Sequence, residues 1–438
     1  MRYGHDMSQP SAWSSGARLG VIALVVVLGA TAPEVRAQRP DSARAAHDSL
    51  AARVERAEEA IELLKQQLAA QSESGVATRS GLKLEWSGRI LMNVFSNSHR
   101  TNNTDVPVFV LADTANGLPS GGAGMAIRQT SLGLAVTARS VFGADFRGDL
   151  DLDFYGGQQP STGGRTSPLL RIRTARAILT WKHGELLVGQ EVPLTRGPNP
   201  VSLAAFGTPG FSTAGNLWIW LPQVRGTIER GTRVKFALQG AVLAPMTGDA
   251  AGVFSTDFDV AERSRRPFVE GRLRMRWGEG DTQAEVGISA HKGWFANSLD
   301  SLLTGQGVMA DAVMPLGTAF EVRGELFDGR GLRGLGGGQI GQLFGKNGAV
   351  VNGRGGWGQV NAKPTPRITV GGGYGFDDPN DADVPATGRM KNVTAESHMI
   401  VHPAGTLVLS LEWRRTTTTY TSRSWTNDHL NLGVGFEF

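Results

Sequence analysis

HLNLGVGFEF, residues 429–438, is the stretch of sequence that decides the fold. Its apolar residues stand at every second position and end on the terminal aromatic residue: Leu430, Leu432, Val434, Phe436 and Phe438. Because successive side chains of a β-strand point to opposite faces of a sheet, this spacing predicts a strand with one apolar face. The chain therefore ends on a regular strand, an ending that buried termini of soluble proteins rarely show.

The same alternation recurs towards the N-terminus. Residues 82–95, LKLEWSGRILMNVF, place apolar and polar side chains in turn. In FGADFRGDLDLDFY, residues 142–155, the apolar residues alternate with charged ones: Asp145, Arg147, Asp149, Asp151 and Asp153. A strand with that many charges on one face has that face in water. The other face is apolar along its whole length, so the two faces meet different solvents.

Sixteen segments share this period. They lie near residues 82–95, 126–138, 142–155, 168–181, 184–191, 217–229, 232–243, 266–277, 282–292, 308–314, 317–327, 348–361, 366–376, 388–400, 405–418 and 427–438. Soluble strands average about 5–6 residues, and many of these segments are twice as long. A propeller would need a repeat of about 40 residues with a common signature, and the sequence shows none.

The connections alternate in length. Long ones follow the odd-numbered segments, at 96–125, 156–167, 192–216, 244–265, 293–307, 328–347, 377–387 and 419–426. Those after even-numbered segments are short, as at 139–141, 230–231 and 401–404. Long loops on one rim and tight turns on the other are typical of an outer-membrane barrel. The pattern predicts an all-β transmembrane antiparallel barrel of about 16 strands over residues 82–438.

The composition agrees with a barrel and excludes other classes. Mean hydropathy is −0.17 and only 19% of residues are charged, as expected when each strand averages an apolar and a polar face. With no cysteine, disulfides and thiolate metal sites are excluded. A net charge of +4 is too small to indicate a nucleic-acid partner.

The first 81 residues have a different organisation. Residues 1–37 are predicted to be a signal peptide. The alternative is a membrane-spanning helix, but the apolar run at 19–32 is shorter than such a helix needs to be. Residues 38–71 are predicted to form a short α-helical coiled coil in the periplasm. Its heptad seam has spacings of four and three: Leu50, Val54, Ala57, Ile61, Leu64 and Leu68. A polar linker, 72–81, follows.

The order of these elements resembles the DcaP-like outer-membrane porins, a family of trimeric channels with an N-terminal periplasmic coiled coil. The resemblance lies in the heptad segment 50–68, in LLRIRTARAILTW and GELLVGQEVPL at 169–194, and in LWIWLPQVRG at 217–226. It implies a homotrimer, embedded in outer-membrane lipid, that passes small anionic solutes such as dicarboxylates. The terminal strand ending in Phe438 similarly resembles the signal read by the barrel-assembly machinery.

A sixteen-strand barrel is wide enough for an aqueous channel whose lumen charges set selectivity. The candidate pore-lining cations are Arg171, Arg173, Arg225, Arg272, Arg274 and Arg276. Asp149 and Asp151 would form an opposing acidic wall or balance the arginines. Arg176 has the opposite parity from Arg171, which indicates either a subunit interface or a bulge. Loop 192–216, rich in proline and glycine, is either a constriction or an ordinary external loop.

The sequence thus predicts a porin for small hydrophilic solutes. The alternatives are a structural or adhesive outer-membrane barrel and an outer-membrane barrel enzyme. No GxSxG elbow and no pair of histidines at a motif spacing occurs, so no catalytic residue is predicted. No metal site or cofactor is predicted either, because histidines and carboxylates do not cluster at ligand spacing.

Deleting residues 41–71 should release the subunits from one another, because the heptad seam is the predicted contact between them. Cross-linking and heat-modifiable gel mobility of the mature protein would measure this. A trimer that is unchanged after the deletion would show that the barrel walls alone hold the subunits together.

Overall fold

The alternating segments form eighteen β-strands in one antiparallel sheet that closes on itself. The structure, a computed structural model, describes residues 75–77, 82–113, 120–157, 166–247, 258–296 and 301–438. The predicted signal peptide and coiled coil lie outside these residues, and the linker is described only at Gly75–Ala77.

The strands follow one another around the barrel in chain order. They are β1 Gly75–Ala77, β2 Lys83–Asn97, β3 Gly122–Ala126, β4 Ser131–Val141, β5 Ala144–Asp153, β6 Arg171–Trp181, β7 Gly184–Glu191, β8 Leu221–Gly231, β9 Val234–Leu243, β10 Phe268–Trp277, β11 Ala284–Ala296, β12 Leu302–Leu316, β13 Phe320–Arg330, β14 Asn352–Thr365, β15 Ile368–Pro379, β16 Arg389–Val401, β17 Leu407–Tyr420 and β18 Ser424–Glu437. Short helical turns occur at Glu262–Ser264, Gly280–Thr282, Leu332–Leu335, Gly338–Gly341 and Lys346–Gly348.

The wall of the barrel has sixteen strand positions, as the sequence predicts. β3 and β4 share one position, since both pair with the same edge of β2. β1 adds only three residue pairs to the other edge of β2. β18 pairs with β2 and closes the sheet. The predicted fold class is confirmed.

The second predicted strand, 126–138, is interrupted. β3 ends at Ala126, opposite Asn93 of β2, and β4 begins at Ser131, opposite Arg89 of β2. Between these two pairs the chain has four residues, 127–130, where β2 has only three, 90–92. The extra residue is a bulge that the alternation of apolar residues does not reveal. It brings Gln129, which is fully buried, into the lumen.

The two rims differ as predicted. One, the turn rim, carries the short connections at 142–143, 182–183, 232–233, 278–283, 317–319, 366–367 and 402–406. The other, the loop rim, carries those at 98–121, 154–170, 192–220, 244–267, 297–301, 331–351, 380–388 and 421–423.

Two of the predicted long loops, 293–307 and 419–426, are much shorter in the structure because the flanking strands extend further. β12 starts at Leu302 rather than near 308. Glycines at its beginning interrupt the apolar pattern, yet they pair in register with β11. A Cβ at Gly305 would lie 2.6 Å from the ring of Phe295, so the aromatic side chain occupies the space above the glycine. Such cross-strand cover of a glycine sustains a strand that propensity alone disfavours.

The outer surface of the barrel is apolar. Large hydrophobic side chains at the outward positions are exposed, with Leu273 at 63% and Ile288 at 61%. An exposed apolar surface of this extent is unstable in water and is the surface that a bilayer covers. The described parts of the chain contain no helix with the length and apolar character needed to cross a membrane.

The closing seam lies between β2 and β18. Phe438 exchanges backbone hydrogen bonds with Gly88, with N···O distances of 2.8 and 3.1 Å. Arg89 and Glu437 form an ion pair across the seam. A Cβ on Gly88 would lie 2.8 Å from Cζ of Phe438 and 2.8 Å from the carbonyl oxygen of Ser131. The terminal ring therefore lies over a glycine that has no room for a side chain.

Gly88→Leu should destabilise the closed barrel, because overpacking typically costs about 1–3 kcal/mol and this site lies at the seam. The measurement is the urea concentration at which the compact, heat-modifiable gel band disappears. Gly240→Leu is the matched control, since no atom lies within 4 Å of a Cβ at that position. Equal midpoints for the two variants would contradict the proposed role of the Gly88–Phe438 contact.

Candidate pore and its inserted loop

The inward positions of the strands carry polar side chains. Many are almost inaccessible to solvent, among them Asn93, Glu270, Gln359, Glu396, Glu412 and Asn431. They are buried because loops from the loop rim fold into the lumen and cover them. A buried polar group needs a hydrogen-bond partner. Polar side chains of the lumen wall therefore form hydrogen bonds with the inserted loops.

The longest inserted segment, residues 192–220 and hereafter the lumen loop, connects β7 to β8 and includes the candidate constriction 192–216. Its start is held by Glu270 on β10. That carboxylate accepts hydrogen bonds from the backbone N–H of Leu194 at 2.6 Å and the hydroxyl of Thr195 at 2.8 Å. His291 contacts the same carboxylate at 2.9 Å. The loop therefore turns inward directly after β7.

The middle of the lumen loop crosses to the opposite wall. The side-chain amide of Gln359 on β14 bonds both the N–H and the carbonyl of Val201, at 2.8 and 3.0 Å. Ser202 donates to Glu412 on β17. Asn93 on β2 donates to the carbonyl of Leu203 at 3.1 Å. The wall thus recognises the backbone of the loop, not only its side chains.

Gln129, at the break between β3 and β4, makes the densest contact with the loop. Its amide nitrogen donates to the carbonyl of Ala204 at 2.9 Å and to the side chain of Asn93 at 3.1 Å. Its amide oxygen accepts from the N–H groups of Phe206 and Gly207, at 2.5 and 3.1 Å. This one side chain thus bonds three backbone groups of the loop within residues 204–207.

The end of the lumen loop lies against β14–β16 and a second inserted segment. Asn392 donates to the carbonyl of Thr213 at 2.9 Å. Gly215 has φ of +104°, and a Cβ there would lie 2.2 Å from the carbonyl oxygen of Gly356, so only glycine fits. The N–H of Trp218 bonds the carbonyl of Leu335 at 2.9 Å.

An apolar cluster fills the lumen at its loop end. It joins residues of the lumen loop, of the wall and of segment 331–351: Leu194, Leu217, Leu243, Phe268, Phe295, Leu332 and Leu335. It is the largest of three apolar clusters among the described residues, and the two smaller ones also join the lumen loop to the wall.

Arginines of β6 and of the lumen loop surround two aromatic rings. The guanidinium of Arg173 lies 4.1 Å from the centroid of Phe206 and 5.1 Å from that of Trp220. Arg171 and Arg196 lie 5.1 and 5.9 Å from the same Trp220 ring. We call these five residues the arginine–aromatic cluster.

The cluster carries more positive than negative charge. Asp153 binds Arg171 through two hydrogen bonds, at 3.0 and 2.6 Å, and lies 3.8 Å from Arg173. Within the described ranges Arg196 has no carboxylate at ion-pair distance; its guanidinium donates to Asn199. The Nε atoms of Arg173 and Arg196 are buried without a protein hydrogen-bond partner. The three cations of the cluster thus have one carboxylate, Asp153, which pairs with two of them.

A β-bulge in β6 explains why Arg176 faces the lumen although its position in the alternation is opposite to that of Arg171. Asp151 pairs with Thr174 and Leu152 with Ile172, so Arg173 is the extra residue of β6. The residues after it change phase, and Arg176 faces the lumen, where it contacts Asp149 at 3.1 Å and Glu191. Of the two interpretations of Arg176, the bulge is the one that the structure shows.

The arginines of β10 face the lumen but are neutralised by carboxylates. Arg272 reaches over Gly287 to bind Asp311, with one N···O distance of 2.9 Å, and also contacts Glu285 at 3.0 Å. Arg274 and Arg276 both bind Glu229, Arg274 at 3.0 Å. These side chains form a network of ion pairs along the inner face of the wall.

Arg225 and the predicted acidic residues have other partners. Arg225 donates to Gln223 at 2.8 Å and to the carbonyl of Val192, where the lumen loop begins. Asp149 binds Arg147 at 2.8 Å. Asp151 accepts a hydrogen bond from Thr174 at 2.7 Å. Because the two aspartates lie on the strand next to β6, they balance neighbouring charges and do not face the arginines across the lumen.

Several residues of this site were not predicted. Gln129, Arg196 and Trp220 have no parity pattern that marks them, because they lie at a bulge or in a loop. The proline-rich stretch around Arg196 was a signal of a stiff loop, and Trp220 stands at the end of a conspicuous apolar run. Among the described residues no group of histidine and carboxylate side chains could hold a metal ion.

Comparison with known proteins identifies the fold. No family profile matches the chain, and no curated protein matches it in sequence. Among solved structures it is similar to the outer-membrane channel DcaP of Acinetobacter baumannii, with a TM-score of 0.65 and 16% identity over 83% of this chain and 100% of that one. An anion-selective porin from Comamonas acidovorans gives 0.54 and 11%, over 82% of this chain and 100% of that one. OprB of Pseudomonas putida gives 0.50 and 10%, over 81% and 94%. The resemblance to DcaP-like channels is confirmed for the fold.

Gln129→Leu should loosen the lumen loop. A leucine of similar size leaves the N–H groups of Phe206 and Gly207 without their acceptor, at a cost of about 1–3 kcal/mol for each buried group. We expect single-channel recordings in planar bilayers to show larger or flickering steps than those of the unmodified protein.

Gln239→Leu is the matched control. Gln239 is also inward and buried, but its hydrogen bond, 3.1 Å to Thr227, stays within the wall. Its conductance should remain near that of the unmodified protein. Identical steps in both variants would show that Gln129 does not hold the loop in place.

Proposed function

We propose that this chain is an outer-membrane porin through which small hydrophilic solutes diffuse, with anions favoured over cations. The observation that carries the proposal is the arginine–aromatic cluster, where the lumen loop meets β6. Asp153 pairs with Arg171 and Arg173, and Arg196 lies at the same Trp220 ring with no carboxylate of its own among the described residues. A narrow water-filled passage lined by fixed charge selects ions of the opposite sign. The fold, common to this chain and to outer-membrane channels, supports the same proposal.

The aromatic rings make the cationic groups suitable for transient binding. A guanidinium stacked on an aromatic face keeps its N–H groups at the edge of the plane, where they can reach a carboxylate or phosphate. Arg173 is placed in this way between Phe206 and Trp220. Because such contacts are multiple and each is weak, a solute can exchange from one to the next, as conduction requires.

A cavity on the turn side of the lumen loop continues the passage from the arginine–aromatic cluster. Its volume is about 280 Å³, and Arg89, Arg173 and Arg323 line it together with loop residues 199–206. Arg323 donates to the carbonyl of Asn199 at 2.7 Å and so joins the wall to the loop. A solute that leaves the arginine–aromatic cluster would enter this cavity before it reaches the turn rim.

The orientation and assembly belong to the same proposal. The turn rim would face the periplasm, because the signal peptide and the coiled coil at 38–71 precede β2 at that rim. The coiled coil would hold a homotrimer, and the strand that ends in Phe438 would be read by the barrel-assembly machinery. Outer-membrane lipid would cover the apolar outer surface.

A structural barrel without conduction is the competing hypothesis. The observation that favours it is the extent of the lumen loop, which is hydrogen-bonded to β2, β10, β14 and β17. Planar-bilayer recording separates the two: a porin gives discrete conductance steps, and a filled barrel gives none.

Arg173→Gln should lower the preference for anions. Loss of one unit charge at about 4 Å from a permeating ion in water removes about 1 kcal/mol, or a fivefold factor in relative permeability. The reversal potential in a salt gradient measures this ratio. Arg415→Gln is the matched control, because Arg415 points outward and pairs with Asp428 outside the lumen. A cation-selective unmodified protein, or equal ratios in the two variants, would contradict the proposed role of Arg173.

A further inference from the structure

The outward face of β7–β10 carries an apolar groove at the loop rim. Four valines lie side by side in the register of these strands: Val188, Val224, Val242 and Val269. The groove above them has a volume of about 610 Å³, and prolines form much of its wall: Pro222, Pro245 and Pro267. All these residues are on the outside of the barrel, so the groove does not belong to the pore.

Cations stand at the mouth of this groove. Arg265 and Arg266, both exposed, line its upper edge. Lys292 lies beside Val269 in the next strand. Arg266 and Lys292 approach the same indole ring, that of Trp294, at 5.8 and 5.6 Å. Two of the three positive charges, those of Arg266 and Lys292, therefore lie next to the same indole ring beside the groove.

These cations have no carboxylate at ion-pair distance within the described part of the chain. Two other outward cations near the loop rim are paired: Arg354 lies 3.6 Å from Asp378, and Lys391 lies 3.7 Å from the same aspartate. Burial in a membrane surface without a counter-ion is unfavourable for a cluster of like charges. Within the described residues, the cluster around Trp294 is therefore positively charged and open to an anion from outside the chain.

From this arrangement we infer a binding site for a phosphorylated acyl lipid of the outer leaflet. Arg265, Arg266 and Lys292 would bind the phosphates of its headgroup, and the groove along the valines would take an acyl chain. A free anion would need the cations but not the groove, whereas a second barrel would use the apolar face but not the cations. The inference rests on the proposed location in the outer membrane and is independent of what the pore transports.

The test uses the purified full-length barrel in detergent, freed of bound lipid, with bisphosphorylated lipid A as the probe. Binding is measured by native mass spectrometry as lipid A is titrated. Each surface cation contributes about fivefold to binding of an anionic lipid, so replacing Arg265, Arg266 and Lys292 together with glutamine should weaken binding roughly a hundredfold. Arg354→Gln, the matched control at the same rim, should bind as the unmodified protein does.

Two further probes identify which part of the lipid is recognised. Inorganic phosphate at millimolar concentration should not displace lipid A, and a zwitterionic phosphatidylethanolamine should bind much more weakly. Equal lipid A affinity in the triple variant and the unmodified protein, or displacement by inorganic phosphate alone, would overturn the inference.

Conductance recorded from the same preparations separates the two proposals. A barrel that conducts but does not bind lipid A refutes only the lipid site, and a barrel that binds lipid A but does not conduct refutes only the porin.

Discussion

Closure of the sheet is the constraint on which the rest of this structure depends. In lipid no water is present to bond an unpaired strand edge, so every outward-facing strand must have a neighbour on both sides. Here the last strand of the chain, β18, meets that requirement by pairing with β2. The seam explains several local features at once, including the glycine at position 88, the ion pair of Arg89 with Glu437 and the terminal ring of Phe438.

A closed barrel of sixteen strands leaves an interior that wall side chains cannot fill. The chain fills part of it with its own loops, at 192–220 and 331–351. Because these loops bring backbone N–H and carbonyl groups into the lumen, the wall must supply partners, and Gln129, Glu270 and Gln359 do so. Polar residues on the inner face thus stabilise the inserted loops as well as facing water.

The charges of the lumen divide into two groups with different consequences. On β10 each arginine has a carboxylate, as in the pair of Arg272 with Asp311, and a compensated pair contributes little net field. Near Trp220 the cations exceed the carboxylates, so this part of the lumen has an excess of positive charge. Parity along a strand places a side chain on the inner face but does not reveal its partner. Arg272 and Asp311, for instance, lie two strands apart and meet only because Gly287 between them has no side chain.

The sequence by itself determined the strand period, the number of wall positions, the alternation of rims and the closing role of the terminal strand. Each of these follows from the two-residue period of a strand and from turn residues, which are local properties. It also named eight candidate lumen residues, whose part in a pore stays a prediction. Only the tertiary structure decided the break at Gln129, the bulge at Arg173 and the inward course of the lumen loop. These depend on which strands become neighbours and on hydrogen bonds between residues far apart in the chain, and no local pattern records such contacts.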